Sequence, residues 1–402
     1  MDHDTSLWYR DLAPLFETML SSAKYPFEIT VSYRNFLRTT VCPSFGQHPN
    51  TSTKNPFKSY MNDDHTPIEL SWTWTKKIED TRGEKVLPKV RYSIEPIGEH
   101  VGTKSDPFNI VAPERFLREL KSYGEGVAVD FELYDYFRNT LSNSKEYDAT
   151  GSSVTECSTQ FIAIEFTPSG KMSTKAYFMP GSTGTKQFPS IVRAIENYPG
   201  CTPDLLSALE LVKAAGPTHP DESAPMLAID CVNPTTARIK IYIRKRTTSF
   251  SSILSMMEIS GTRISEDQRN VLKDLYCSIL GLDKMVDDDE ELPQSTHRTA
   301  GMIYHFDLRL GSGIPKVKIY IPVKHYGRND EAVATGFSRW LDRHSFGLVN
   351  STYVDTVVSM CNHRKLVDGL GFQTYISAAF DDDNINVTSY LQPEIYHGFR
   401  RR

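Results

Sequence analysis

What most limits the folds open to this chain is an order of elements that repeats five times. Helical periodicity near 7–22 and 29–41 gives way to alternating, strand-like patterns near 67–75 and 89–96. Helices near 112–123 and 129–141 then precede strands near 158–166 and 172–179, and helices near 187–198 and 203–215 precede strands near 225–231 and 236–244. The order returns with helices near 249–259 and 266–280 before strands near 301–309 and 315–322, then helices near 329–344 and 350–366 before strands near 372–380 and 385–391. The second strands begin roughly 65 to 85 residues apart, a repeat of supersecondary structure rather than of residue identity. Short polar or glycine-bearing segments such as TPSGK at 167–171 join the two strands of a unit, which suits an antiparallel hairpin. Five hairpins supply about ten antiparallel strands, enough to close into a barrel whose lumen is wider than its side chains fill. The expectation is an α/β fold of five ααββ repeats, one domain over residues 1–402, with the helices outside a solvent-filled lumen.

The strands carry an inverted pattern. In RIKIYIRK, Arg238 to Lys245, alternation sets Arg238, Lys240, Tyr242 and Arg244 on one face and Ile239, Ile241 and Ile243 on the other. TKAYFMP repeats the arrangement with Lys175 and Tyr177, and PKVKIYIPV with Lys316, Lys318 and Tyr320. KVRYSIEPI puts Arg91, Ser93 and Glu95 opposite Val90, Tyr92 and Ile94. If helices cover the barrel, the aliphatic faces point outward into a helix–sheet core and the Lys/Arg/Tyr faces point into the lumen. Inward cations facing one another in a confined space call for an anionic guest.

Arg91, Lys175, Arg238, Lys240 and Lys318 supply five positive charges, and a diphosphate carries about three negative charges near neutral pH. Tyr177, Tyr242 and Tyr320 offer hydroxyls to phosphate oxygens and ring faces to a cation. That combination suits an allylic diphosphate that ionises to a carbocation. PIELSWTW at 67–74 sets Glu69, Ser71 and Thr73 on one face, so Glu69 points into the same lumen. A carboxylate there accepts a hydrogen bond from an acceptor's N–H or O–H and raises its nucleophilicity. The plain alternative is a salt bridge between Glu69 and Arg91 with no part in chemistry. Met302, Tyr304 and Phe306 share one face of GMIYHFDL, and Met302 and Tyr304 are candidates for the acceptor pocket.

The net charge of −5, with acidic and basic residues mixed throughout, argues against nucleic-acid binding through a global basic field. The N-terminal segment lacks a basic region followed by an apolar core, and no apolar run is long enough to span a bilayer, so a cytoplasmic protein is expected. Six scattered cysteines, Cys42, Cys157, Cys201, Cys231, Cys277 and Cys361, read as reduced thiols. The acidic runs at Asn62–Asp64, Asp287–Glu291 and Asp381–Asn384 lack the spacing that would point two carboxylates at a metal, and read as solvated turns. Oligomeric state stays open, a homodimer included.

Taken together, MNDDHTPIELSW, VRYSIEPIG followed by GTKSDPFN, KAYFMP, RIKIYI, GMIYHFDLRLG, PKVKIYIPVKHYG and TSYLQP resemble the fungal indole and aromatic prenyltransferases of the dimethylallyltryptophan synthase type. The resemblance runs through nearly the whole chain and implies the ABBA-type prenyltransferase barrel. It implies a dimethylallyl diphosphate donor held by Arg91, Lys175, Tyr177, Arg238, Lys240, Tyr242, Lys318, Tyr320 and Tyr390, with Glu69 on the acceptor. It further implies Friedel–Crafts-type alkylation of an aromatic acceptor, most simply an indole-containing metabolite, without a divalent metal or organic cofactor. Two places depart from the family. No basic residue stands between Cys157 and Phe166, where some tryptophan-prenylating members carry a lysine, and Asn386 stands where many have a tyrosine. A phenolic or polyketide acceptor remains an alternative, as does a non-catalytic barrel that binds an anionic lipid or cofactor.

Overall fold

The computed structural model describes residues 2–51, 57–77, 86–142, 158–180, 186–259, 261–347, 352–382 and 384–400; Cys157 and Asp383 fall outside them. Helices α1 (His3–Ser22) and α2 (Phe27–Phe36) lead into strands β1 (Ile68–Lys77) and β2 (Lys89–Ile94). Helix α3 (Val111–Leu120), a two-residue strand β3 (Val127–Ala128) and α4 (Glu132–Phe137) lead into β4 (Gln160–Phe166) and β5 (Met172–Phe178). Helices α5 (Gln187–Glu196) and α6 (Pro203–Ala214) precede β6 (Ser223–Asp230) and β7 (Ile239–Lys245). Helices α7 (Phe250–Met257) and α8 (Glu266–Leu280) precede β8 (Met302–Arg309) and β9 (Ser312–Ile321). The one-turn α9 (Val323–Tyr326), α10 (Asp330–Arg343) and α11 (Tyr353–Met360) precede β10 (Gln373–Asp381) and β11 (Asn384–Leu391).

The two strands of each hairpin pair antiparallel, and each hairpin pairs antiparallel with the next. Leu70–Lys77 of β1 lies against Asn384–Leu391 of β11, which closes ten strands into a ring. Among the described residues β3 and the one-turn α9 are additions to the expected plan, and β3 joins β5 in parallel over two residues. The expected five ααββ units and closed antiparallel barrel are therefore present.

Helix boundaries follow local chemistry. At α8, Ser265 and Gln268 form a reciprocal capping box, and Gly281 ends the helix at φ 69°, a conformation that costs glycine no Cβ clash. Between α8 and α10, a Cβ at Gly336 would meet the Ser278 carbonyl oxygen at 1.9 Å, so glycine sets how closely these helices approach.

The main core lies between helices and barrel. Ile239, Ile241 and Ile243 of β7 and Ile319 and Ile321 of β9 are almost wholly buried in it. Trp72 and Trp74 of β1 meet the Tyr353 ring edge-on at 5.9 and 6.1 Å. A second, smaller cluster occupies the lumen and joins Ala228, Tyr242 and Ile303 to Tyr177, Tyr320 and Tyr375. The aliphatic faces are thus outside and the Lys-x-Tyr faces inside. Among the described residues no helix is long and apolar enough to cross a membrane, and the five described cysteines are free thiols.

Candidate active site

The five second strands of the hairpins all run the same way around the ring, so equivalent positions form tiers. Lys175, Lys240 and Lys318 occupy one tier, and Tyr177, Tyr242 and Tyr320 stand two residues, about 7 Å, further along the same strands. Tyr390 of β11 completes a collar: ring centroids are 6.1 Å apart for Tyr177–Tyr242, 5.9 Å for Tyr242–Tyr320 and 5.4 Å for Tyr320–Tyr390. The Tyr390 hydroxyl donates to that of Tyr320 at 3.3 Å. Burial drives the Tyr242 and Tyr320 hydroxyls well above their ordinary range, so they remain protonated donors.

The cation tier is partly neutralised by carboxylates on the first strands of the hairpins. Glu165 of β4 accepts from Arg91 at 2.7 Å and from Lys175 at 2.9 Å. Asp230 of β6 binds Arg238 at 2.5 Å and also contacts Lys240, while Asp307 of β8 lies 3.5 Å from Arg238. Burial opposes ionisation of Glu165 and Asp230, but the paired cations outweigh it and hold both carboxyls far below their ordinary range. Two cations share each of these carboxylates, so positive charge is left over. Burial first, then Arg91, lowers Lys175 to about 7; burial and four neighbouring cations hold Lys318 well below its ordinary value. Lys318 donates to Thr388 at 3.0 Å and, among the described residues, makes no ion pair with a carboxylate. Its ammonium also faces the Tyr320 and Tyr390 rings at 5.3 and 5.9 Å. Chemically, such a surplus within the lumen can hold a polyanion.

On the other side of the collar lies a cavity of about 380 Å³, lined by the four tyrosines together with Glu69 and Ile303. Glu69 accepts a 2.7 Å hydrogen bond from Thr374 Oγ1, and burial raises its carboxyl to about 7 against the pull of Thr374 and Lys324. It makes no salt bridge to Arg91, whose guanidinium is taken by Glu165. The lining adds Asp63, Arg244 and Lys324 and, where it meets solvent, the exposed Arg298. Lys324 pairs with Asp63 at 2.6 Å, and Arg298 lies 4.7 Å over the Tyr60 ring.

All of the expected donor-side residues therefore face one lumen, and Glu69 faces the adjoining cavity. Met302 and Tyr304 do not. Both are fully buried in the outer helix–sheet core, because Tyr304 pairs across the sheet with Ile243 and Ile319, which point outward. Cross-strand partners share a face, so the inward residues of β8 are Ile303, His305 and Asp307. Lys316 is also away from the tier, exposed and paired with Asp381. Glu95 lies past the end of β2, where it accepts from Asn109 at 3.2 Å and Ser158 at 2.6 Å. Of the acidic runs, Asn62–Asp64 is not a solvated turn, since Asn62 is buried and Asp64 accepts from Thr66 and from the Tyr396 N–H. Asp287–Glu291 is a largely exposed turn in which Asp288 binds Lys273 and Arg269, and Asp381 and Asp382 are exposed at the β10–β11 turn. The residues that sequence reading passed over, Glu165, Asp230, Asp307 and His305, sit at period-two positions on first strands, where the same alternation would have found them.

The sequence model of the family described as tryptophan dimethylallyltransferase matches residues 4–356. The chain is 32% identical to 4-O-dimethylallyl-L-tyrosine synthase of Claviceps purpurea, over 98% of this chain and 89% of that protein. It is 28% identical to 7-dimethylallyltryptophan synthase of Aspergillus fumigatus, over 98% and 86% of the two chains. Its fold is similar to that in the crystal structure of AnaPT from Neosartorya fischeri, with a TM-score of 0.79 and 20% identity over 98% of this chain and 95% of that one. With a barrel of ααββ units, an inward cation tier and a family match across most of its length, this chain belongs to the tryptophan dimethylallyltransferase family of aromatic prenyltransferases.

Proposed function

We propose that this enzyme transfers a dimethylallyl group from dimethylallyl diphosphate to an electron-rich aromatic ring, indole or phenol, by Friedel–Crafts-type alkylation. One observation carries the reading: a surplus-cation tier, a collar of four tyrosines and a buried carboxylate follow one another along a single lumen. In this reading Arg91, Lys175, Arg238, Lys240 and Lys318 hold the diphosphate, with side-chain cations rather than a metal meeting its charge. The C–O bond breaks with its electron pair going to the diphosphate oxygen. The faces of Tyr177, Tyr242, Tyr320 and Tyr390 shield the allylic cation from water. Glu69 accepts a hydrogen bond from the acceptor's N–H or O–H, which enriches the nucleophile as positive charge develops in it. Loss of a proton then restores aromaticity.

The cavity lining favours an acceptor with a carboxylate. Arg298 and Lys324 lie on the same lining as Glu69, so an aromatic amino acid would set its ring by Glu69 and its carboxylate by these cations. Relatives named for tyrosine and tryptophan acceptors support that class.

The test is product formation followed by mass spectrometry, with dimethylallyl diphosphate and a panel of L-tyrosine, L-tryptophan, their amides, a tryptophan-containing cyclic dipeptide and a hydroxylated polyketide. Expected is a gain of one prenyl unit on an indole or phenol, undiminished by EDTA and largely lost in Glu69→Ala. Prenylation unchanged by that substitution would remove Glu69 from the reaction. No product with any acceptor, despite binding of the diphosphate, would favour a binding protein.

A further inference from the structure

Among the buried polar side chains of the lumen, His305 has no part in the reaction proposed for this enzyme. His305 faces inward on β8, directly across from Tyr242 of β7 on one side and Lys318 of β9 on the other. Its ring lies 5.0 Å from that of Tyr242 and 6.3 Å from that of Tyr320. The residue is 8% exposed, yet neither Nδ1 nor Nε2 makes a hydrogen bond to a described protein group. Buried polar atoms are nearly always paired, and each exception calls for a reason. The ordinary reading, a core histidine that donates to a carbonyl or hydroxyl, fails here because both nitrogens are unpaired.

The charges around it give the reason. Lys240 and Arg238 face it from β7, Lys318 from β9, Asp307 from its own strand and Asp230 from β6, with the Tyr242 and Tyr320 hydroxyls nearby. Burial, then Lys240, Lys318 and Arg238, hold its proton affinity well below that of ordinary histidine, with Asp230 opposing. The imidazole is therefore neutral while the cation tier is unfilled. An anion of about three charges placed among those cations cancels the field that kept the proton away.

We infer that His305 is a further diphosphate ligand: it takes a proton from solvent when the donor binds and then gives an N–H hydrogen bond to the departing diphosphate. This rests on the reading of the cation tier as the diphosphate site. On heterolysis the C–O electron pair stays on the diphosphate oxygen, and the imidazolium N–H meets the charge gained there with no proton changing hands. Lys318, which has no carboxylate partner among the described residues, flanks the same point from the neighbouring strand. The pair makes one side of the tier selective for an anion over water.

Calorimetry with inorganic pyrophosphate tests this, on the wild-type enzyme and His305→Gln at neutral pH, in two buffers of different ionisation enthalpy. Expected is an uptake greater by about one proton in the wild type than in the variant, and binding about tenfold weaker in the variant. His305→Asn serves if the first variant does not fold. A second readout uses the wild type alone: in 15N-histidine-labelled enzyme, one of the 11 histidines converts to imidazolium as pyrophosphate is added. Pyrophosphate binding with equal proton uptake in wild type and variant, or with every ring unchanged, would overturn the role of His305 and leave the diphosphate site standing. Failure of pyrophosphate to bind the wild type would overturn that site itself, and this inference with it.

Discussion

Thr374 Oγ1 donates a 2.7 Å hydrogen bond to Glu69 Oε1, reaching from β10 past β11 to β1. The ladder between β10 and β11 shifts register between Gln373 and Ile376. Strict alternation would set Thr374 with Ile376, against the helices, but the irregularity frees it to face Glu69. A buried carboxyl with one hydroxyl donor and a distant ammonium is poised near neutrality, at about 7.

That poise gives the first prediction. Glu69 helps the acceptor only as a carboxylate, so kcat/KM rises with pH through an apparent pKa near 7. Thr374→Val removes a donor that favours the charged form. Hydrogen bonds to charged groups are worth about 1.5–3 kcal/mol, so the acid limb moves up by about one pH unit or more. A pH profile of the transfer reaction checks this, and an unmoved limb in Thr374→Val would separate Thr374 from the chemistry.

Glu165 couples donor binding to stability in opposite senses. It is the shared counter-ion of Arg91 and Lys175, so Glu165→Gln leaves the buried Lys175 and the partly buried Arg91 unmatched and costs about 3–5 kcal/mol of stability without ligand. The same change removes a negative charge from the diphosphate site. Pyrophosphate therefore binds the variant more tightly and raises its melting temperature more than that of the wild type, as thermal melts over a ligand series would measure. In the wild type, Glu165 and Asp230 are held far below their ordinary range. Their stabilisation is present above the unfolded pKa, near 4, and is lost as pH falls below it.

Period-two alternation makes much of this site legible in the sequence. It sent Ile239, Ile241 and Ile243 outward and Lys240 and Tyr242 inward, and it set Glu69 on the lumen face. Applied to the first strands it would have found Glu165, Asp230 and His305 as well; there, single polar residues lie in apolar runs such as QFIAIEF and draw less notice than a Lys-x-Tyr pair. Tyr304 shows the opposite failure. An aromatic suits an acceptor pocket, yet its cross-strand partner Ile243 points outward. Thr374 was out of reach, because a register shift has no signature in period. Asp63, Arg298 and Lys324 lie in loops and a one-turn helix, where no periodicity assigns a direction.

Arg298 tests the acceptor class. Its exposed guanidinium stands at the cavity mouth over the Tyr60 ring. Arg298→Gln keeps a polar side chain and removes the charge, so KM for an aromatic amino acid rises several-fold while KM for the corresponding amide stays as it was. Steady-state kinetics on the acid–amide pair distinguish the two. Equal effects on both would mean that Arg298 shapes the mouth without reading a carboxylate.

Ile303 and its neighbours on β8 give a prediction in which adjacent residues behave oppositely. Met302 and Tyr304 are fully buried between barrel and helices, whereas Ile303 lines the cavity beside Tyr242. Met302→Ala removes packed core volume and lowers stability by about 2–5 kcal/mol, with acceptor preference unchanged. Ile303→Ala instead enlarges the space in which the acceptor ring lies. Since orientation over the allylic cation decides which atom is alkylated, a ring freed to tilt spreads product over more than one position. Denaturant unfolding and product analysis on both variants check the pair. Unaltered regiochemistry in Ile303→Ala, with altered regiochemistry in Met302→Ala, would mean that the acceptor ring is set from behind the strand rather than by the cavity wall.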